Sequence, residues 1–352
     1  MNYDAILLVS FGGPEGPDDV LPFLENVLRG RNVPRERMLE VAEHYHHFGG
    51  ISPINKQNRD LIAALRRELD DHGLKLPIYW GNRNWHPFIK DTLREMHRDG
   101  VRRALALMTS AFSSYSGCRQ YRENVIQARE ELGSELGADH ASEVPQVDKL
   151  RGFYNHPGFI ETVSELLKGS LSQFPSGVEQ QTRVLFTAHS IPQGMAQNCN
   201  YERQLREASR LVAEMNGVGS WELVFQSRSG PPTQPWLEPD VGARLRELPA
   251  EGIRFVAVVP IGFVSDHMEV LYDLDYEADA IAKEVGLTMT RTPTVGTHPR
   301  FISMLRELIV ERLESKPTRA VLGNLPPLPD QCPVDCCLYT PPQRPAARPT
   351  AS

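Results

Sequence analysis

Much that would announce a function is missing from these 352 residues. Positive charge is not in excess: 38 Lys and Arg stand against 45 Asp and Glu, a net charge of −7, which excludes the basic footprint of a nucleic-acid or anionic-lipid binder. No apolar run approaches the roughly 20 residues that a membrane span needs. The opening "MNYDAILLVSFGG" has no basic stretch ahead of its short apolar run, so it reads as a first strand and not a signal peptide. A cytoplasmic protein is the expectation. Cysteines are few: Cys118, Cys199, Cys332, Cys336 and Cys337, an odd set that argues against a disulfide framework. The glycine loop "SFGGPEG" lacks both the G-x-G-x-x-G spacing and a Walker lysine, which excludes the usual nucleotide cradles.

What is present is ordinary for a soluble globular chain, at 40% hydrophobic, 8% aromatic and 24% charged residues. Its length suits two α/β domains. Short apolar runs, "AILLVS", "LPIYWG" and "RALALMT", read as buried strands. Between them lie helical patterns such as "NKQNRDLIAALRRELDDHG", with Leu61, Ala64, Leu65 and Leu69 on one face. The second half repeats the plan with "RVLFTAHS", "WELVFQS", "RFVAVVPIGF" and "LTMTRT". This alternation predicts two doubly wound, Rossmann-like α/β domains with parallel sheets and an intervening cleft. The expected limits are 1–150 and 151–323, joined near 145–156, followed by a Pro-rich, irregular tail over 324–352 whose last dozen residues are expected to be disordered.

Ligands of open parallel sheets bind beyond the carboxyl ends of the strands, and the unusual polar residues fall there. His189 follows the strand-like "RVLF" in "TAHSIP". An imidazole at a strand end in a cleft can accept a proton or meet a metal at neutral pH, although a lone histidine is more often structural. Downstream, "SDHMEVLYDLDYE" places Asp266, Glu269, Asp273 and Glu277 three, four and four residues apart, on one helix face. Either that face is solvated, or its acids handle metal ions or protons. No lysine or arginine intervenes before Lys283, so the four carboxylates are expected to lack compensation. Oxygen ligands of this kind suit a hard or labile cation in transit. Three cysteines within six residues, Cys332, Cys336 and Cys337, are either adventitious thiols on a flexible tail or ligands of a soft metal or cluster.

Six strings, "LLVSFGGP", "HFGGISPI", "GNRNWHPF", "TAHSIP", "FQSRSGPPTQPWLEP" and "PIGFVSDHMEVLYDLD", occur in this order between residues 5 and 275. Together they resemble the ferrochelatases, lyases that insert ferrous iron into a porphyrin in haem synthesis. The resemblance implies two Rossmann-like halves clamping the porphyrin. It implies that His189 and Glu269 are the catalytic pair that takes pyrrole protons or meets Fe²⁺, with Asp273, Glu277 and Asp266 as an acidic path. Phe11, Ser52, Tyr121, Arg83 and Trp236 become expected porphyrin-binding residues, with His44-Tyr45 and Arg228 as weaker correspondences. Phe11 stands where relatives carry tyrosine or methionine, and a phenyl ring cannot ligate iron.

The segment "RGRNVPRERMLEVAEHYHHFGG" is short and charged where membrane-associated relatives carry an apolar lip. It resembles the soluble bacterial enzymes acting on coproporphyrin III, with protoporphyrin IX as the alternative substrate. The resemblance further implies a [2Fe–2S] cluster on Cys332, Cys336, Cys337 and Cys118, with Cys199 the competitor for the last place. Porphyrin and ferrous iron are the implied partners, with transient contacts to other enzymes of the haem pathway. A cobalt or sirohydrochlorin chelatase, and a haem-binding carrier without turnover, are the competing readings.

Overall fold

A computed structural model of the chain describes residues 3–30, 33–231, 233–314 and 317–339. Among the described residues, eight parallel strands form two four-stranded sheets. The first comprises β1 (Ala5–Ser10), β2 (Ile78–Asn82), β3 (Arg103–Met108) and β4 (Gln146–Lys149), in the order β2-β1-β3-β4. The second comprises β5 (Thr182–His189), β6 (Trp221–Gln226), β7 (Phe255–Val259) and β8 (Thr288–Arg291), in the order β6-β5-β7-β8. The two halves are thus the same doubly wound α/β topology used twice. Strand β4 is a correction: "QVDK" has no apolar run and was expected to be part of the joint between the halves. It is an edge strand, paired on one side only with β3, and needs little burial.

Central strand β1 is buried at every position, as a strand covered on both faces must be. Its alternate residues separate two cores. Ala5, Leu7 and Val9 face the helices Ile89–Arg98 and Gln120–Leu136, whereas Ile6 and Leu8 face inward. Strand β5 divides the same way, Leu185 outward and Val184, Phe186 and Ala188 inward. The two inward faces belong to one continuous core, with Phe112, Phe153, Phe159 and Phe301 at its centre. The last helix, Pro299–Leu313, carries part of this core back to the first half. Its Arg306 meets Glu68 of the helix Ile54–Asp71 at 2.8 Å, and its Glu311 meets the buried Arg151 at 2.7 Å. The sheets fall within 1–150 and 151–323, but the core does not divide there.

The tail contains neither helix nor strand over 317–339, as its prolines dictate, yet it is fastened. Tyr154 donates to the Pro326 carbonyl at 2.9 Å, Asn155 to that of Leu325 at 2.8 Å, and Lys149 to that of Pro329 at 2.9 Å. The final dozen residues, expected to be disordered, lie outside the described ones.

Candidate active site

Each sheet reverses its winding direction between its first and third strands, and the crevice beyond the carboxyl ends at that switch is where a doubly wound sheet binds ligands. Phe11 and the glycine loop leave β1 there. His189 ends β5, and the segment leading to the acidic helix leaves β7. In the glycine loop, Gly12 has φ +81°, and a Cβ on Gly13 would lie 2.6 Å from the Cβ of Ser52. Glycine here lets Ser52 pack beneath the loop, where its backbone N–H donates to Pro14 at 2.8 Å.

His189 Nδ1 lies 2.5 Å from the carbonyl oxygen of Ser190, an acceptor, so this nitrogen carries the proton. In the neutral ring that leaves the lone pair on Nε2, and Nε2 lies 3.8 Å from Glu269 Oε1. Tyr201 donates its hydroxyl to the His189 carbonyl at 3.1 Å, holding the strand end in place. Burial and then Cys199 and Glu269 push the Tyr201 phenol well up, so it stays a donor.

The helix that supplies Glu269 begins Met268–Val270, widens into a π-helical stretch Leu271–Ala278 and resumes as Asp279–Glu284. His267 caps it: its Nδ1 accepts from the backbone N–H of Glu269 at 3.2 Å. Burial lowers the His267 pKa, against the pull of Glu269. His267 was not singled out in the sequence, although it stands inside the acidic string.

Behind Glu269, Asp273 is pushed up to about 7, chiefly by burial and further by the charges of Glu269 and Glu277. Its Oδ2 accepts from Ser227 Oγ and, at 3.2 Å, from Gln226 Nε2. Glu277 lies at the exposed end of the line, its pKa raised by burial of its carboxyl and by Asp240. Asp266 departs from this line and corrects the expected acidic path. Its carboxylate pairs with Arg291 of β8 at 2.7 Å, and Arg291 also pairs with Asp275. The compensating cation is therefore 25 residues away, where helical spacing cannot show it. Among the described residues no lysine or arginine pairs with Glu269, Asp273 or Glu277.

Across the cleft the residues are mainly aromatic, with one arginine among them. Arg83 lies over the rings of Tyr121 at 4.7 Å and Phe11 at 5.7 Å, and donates to Asn124 at 2.7 Å. Phe11, Tyr45 and Trp85 surround Phe23 in edge-on contact. Burial, then the Glu269 charge, raises the Tyr45 phenol, and burial does the same for Tyr121 against the opposing Arg83. Glu269 thus lies within electrostatic reach of both tyrosines. Ser52 is buried, as is Trp236, whose ring fills the space beside Gly230. Arg228 is turned onto the carbonyl of Gln234 in its own loop at 3.1 Å. His44 stacks on Tyr272 of the π-helical stretch, with rings 3.8 Å apart and 8° from parallel, closing one end of the cleft.

The five cysteines meet at a second place, a cavity of about 350 Å³ between the tail and the first sheet. Cys336 and Cys337 sulfurs are 3.5 Å apart, and the neighbouring Cys337 thiol lowers the Cys118 pKa. Arg119 donates to the carbonyls of Val334 and Cys336 at 2.7 and 2.8 Å, fixing the tail over Cys118. Among the described residues, no three His, Cys, Asp or Glu side chains stand together in metal-binding geometry.

Fold and site together define a class: a two-sheet α/β clamp with a histidine–carboxylate pair on one wall and an aromatic wall opposite. The ferrochelatase family profile matches residues 3–313. A ferrochelatase of Rhodopirellula baltica is 59% identical over 98% of this chain and 96% of its own. Coproporphyrin III ferrochelatases of Streptomyces coelicolor and Mycolicibacterium smegmatis are 52% and 48% identical, covering 98% and 93% of this chain and 96% and 94% of theirs. The solved sirohydrochlorin chelatase SirB of Bacillus subtilis subspecies spizizenii matches with a TM-score of 0.48 at 12% identity, over 88% of this chain and 95% of that one. The chain belongs to the ferrochelatase family: it is a lyase of haem biosynthesis that inserts ferrous iron into a porphyrin. Among the described residues no helix is long and apolar enough to cross a membrane.

Proposed function

We propose that the porphyrin is coproporphyrin III, and that His189 and Glu269 carry the metallation. The observation behind the second part is the Nε2–Oε1 separation of 3.8 Å, with the His189 tautomer set by Ser190. Metallation exchanges Fe²⁺ for two pyrrole protons, so the site must take two protons and offer the incoming ion a softer exchange than bulk water. His189 Nε2 has the lone pair for the first proton. Glu269, about half exposed, receives the ion or the second proton. Asp273 takes a proton from that pair at neutral pH, and Glu277 passes it to solvent. Phe11, Tyr45 and Tyr121 form the opposing wall against which the macrocycle is held, and Arg83 supplies positive charge for a propionate.

Support for coproporphyrin III comes from the charged helix Arg35–His47, which presents no apolar lip at the cleft mouth, and from the names of the relatives. An enzyme working in the cytoplasm, with transient contacts to neighbouring haem-pathway enzymes, accords with this reading. The deciding experiment offers Fe²⁺ with coproporphyrin III and with protoporphyrin IX and follows the metallated spectra. At least a tenfold higher kcat/KM for coproporphyrin III is expected; a preference for protoporphyrin IX overturns the substrate.

Cys118, Cys332, Cys336 and Cys337 are proposed as the ligands of a [2Fe–2S] cluster. Four thiols around one cavity, with Arg119 and Lys149 beside them, are the donor chemistry that such a cluster takes. When bound, the cluster supplies a one-electron redox centre and a covalent tie. The chain's own contribution is to hold the tail thiols over Cys118 through Arg119 and Arg122. Anaerobically purified protein should contain two irons and two sulfides per chain and lose both in Cys336→Ser. Colourless, iron-free wild type counts against the assignment.

A further inference from the structure

We infer that Ser227 is a positioning residue for metallation: together with Gln226 it fixes Asp273 against the strand that carries His189. The inference rests on the proposed role of Asp273 behind the catalytic pair. Ser227 has φ +61°, in the left-handed region where a Cβ is penalised and glycine is the unstrained choice. Its side chain has one evident use, donation to Asp273 Oδ2. Among the described residues the polar partner of this strained serine is a carboxyl behind the proposed catalytic pair, a contact that the unstrained glycine could not make.

Gln226 completes the brace. It is 1% exposed and lies directly across from His189 in the β5–β6 register. Its backbone carbonyl accepts from Ser190 N at 2.8 Å, so it is tied to the His189 strand end. Its Nε2 reaches the acidic helix twice, to the Glu269 carbonyl at 3.1 Å and to Asp273 Oδ2 at 3.2 Å. The amide oxygen is buried without a partner, so burial of this side chain is tolerated for the donor end. One dipeptide therefore sets three things at once: the place of His189, the start of the acidic helix and the orientation of Asp273. With Oδ2 held by two donors, Oδ1 is left to exchange protons.

The test compares Ser227→Gly in the wild type and in Asp273→Asn, measuring kcat, KM for porphyrin and for Fe²⁺, and Tm. Glycine removes the hydroxyl and relieves the backbone, so Tm should hold or rise while kcat falls about tenfold and KM for porphyrin stays within twofold. In the Asp273→Asn background the same change should alter kcat by less than twofold, because the side chain that Ser227 positions can no longer exchange a proton. Equal losses in both backgrounds, unchanged kcat in the single variant, or a marked drop in Tm overturn the inference. Full activity of Asp273→Asn alone would instead sink the proton role of Asp273, a separable failure.

Discussion

The two halves share one strand order and one way of dividing their cores, yet their strand ends carry opposite chemistry. Beyond β1 to β3 the chain sets glycines, rings and one arginine. Beyond β5 to β7 it sets a histidine, a capping histidine and three carboxylates that pair with no lysine or arginine among the described residues. The topology places both sets over one crevice but dictates neither, so in the proposed function binding and reaction are divided between the halves by the residues at the strand ends. In that reading the first half offers a surface to lie against and the second offers places for protons and an ion.

That division can be broken most severely at His189. His189→Ala should lower turnover about a thousandfold, within the range of a lost general base, while porphyrin fluorescence titration still reports binding. Loss of binding instead would move His189 to the holding side. The converse is Phe11→Ala, expected to raise KM for porphyrin roughly tenfold, as the loss of a ring wall implies, with KM for Fe²⁺ unchanged. An equal change in both constants would erase the distinction between the halves.

A smaller effect distinguishes the halves without any substrate. Asp273 is held at about 7 when folded, against an ordinary value of 3.8. Between those values the native chain keeps a proton that the unfolded chain has released. This contribution to stability is therefore complete below about pH 4 and is lost as pH rises to about 7. Asp273→Asn removes it, so the fall in Tm between pH 5 and pH 8 should shrink by roughly 5 °C in calorimetry. An unchanged difference would mean that the carboxyl titrates normally. The smallest effect is expected at Asp266, which Arg291 draws out of the acidic line. Asp266→Asn should leave kcat within twofold of wild type and cost about 1 kcal/mol of stability, read from denaturant midpoints.

Much of the frame could be read from residue order, because buried strands of parallel sheets are continuous apolar runs: "AILLVS" and "RVLFTAHS" are β1 and β5 almost to the residue. Strand β4 escaped because four mixed residues at an edge carry no such signal. His189 and Glu269 stood out by position and resemblance, and the fold brings them within 3.8 Å. Asp266 misled because pairing with Arg291 depends on a strand that helical spacing does not include. Gln226 and Ser227 were quoted within "FQSRSGPPTQPWLEP" but not singled out. Their importance lies in a contact across 46 and 47 residues and in a backbone angle, neither of which a short string encodes. The tail's attachment was hidden for a related reason: proline-rich sequence predicts irregularity, not what the irregular chain is fastened to.

The shared core has a mechanical meaning. Helix Pro299–Leu313 lies late in the chain yet packs against Ile54–Asp71, and its Glu311 holds Arg151 of the joint in a buried pair. Separating the halves would expose one face of each sheet and break the Arg306–Glu68 pair. The clamp is accordingly braced across its middle by one core. The helix Arg35–His47 and the widened turn, which touch through His44 and Tyr272, stand outside that brace.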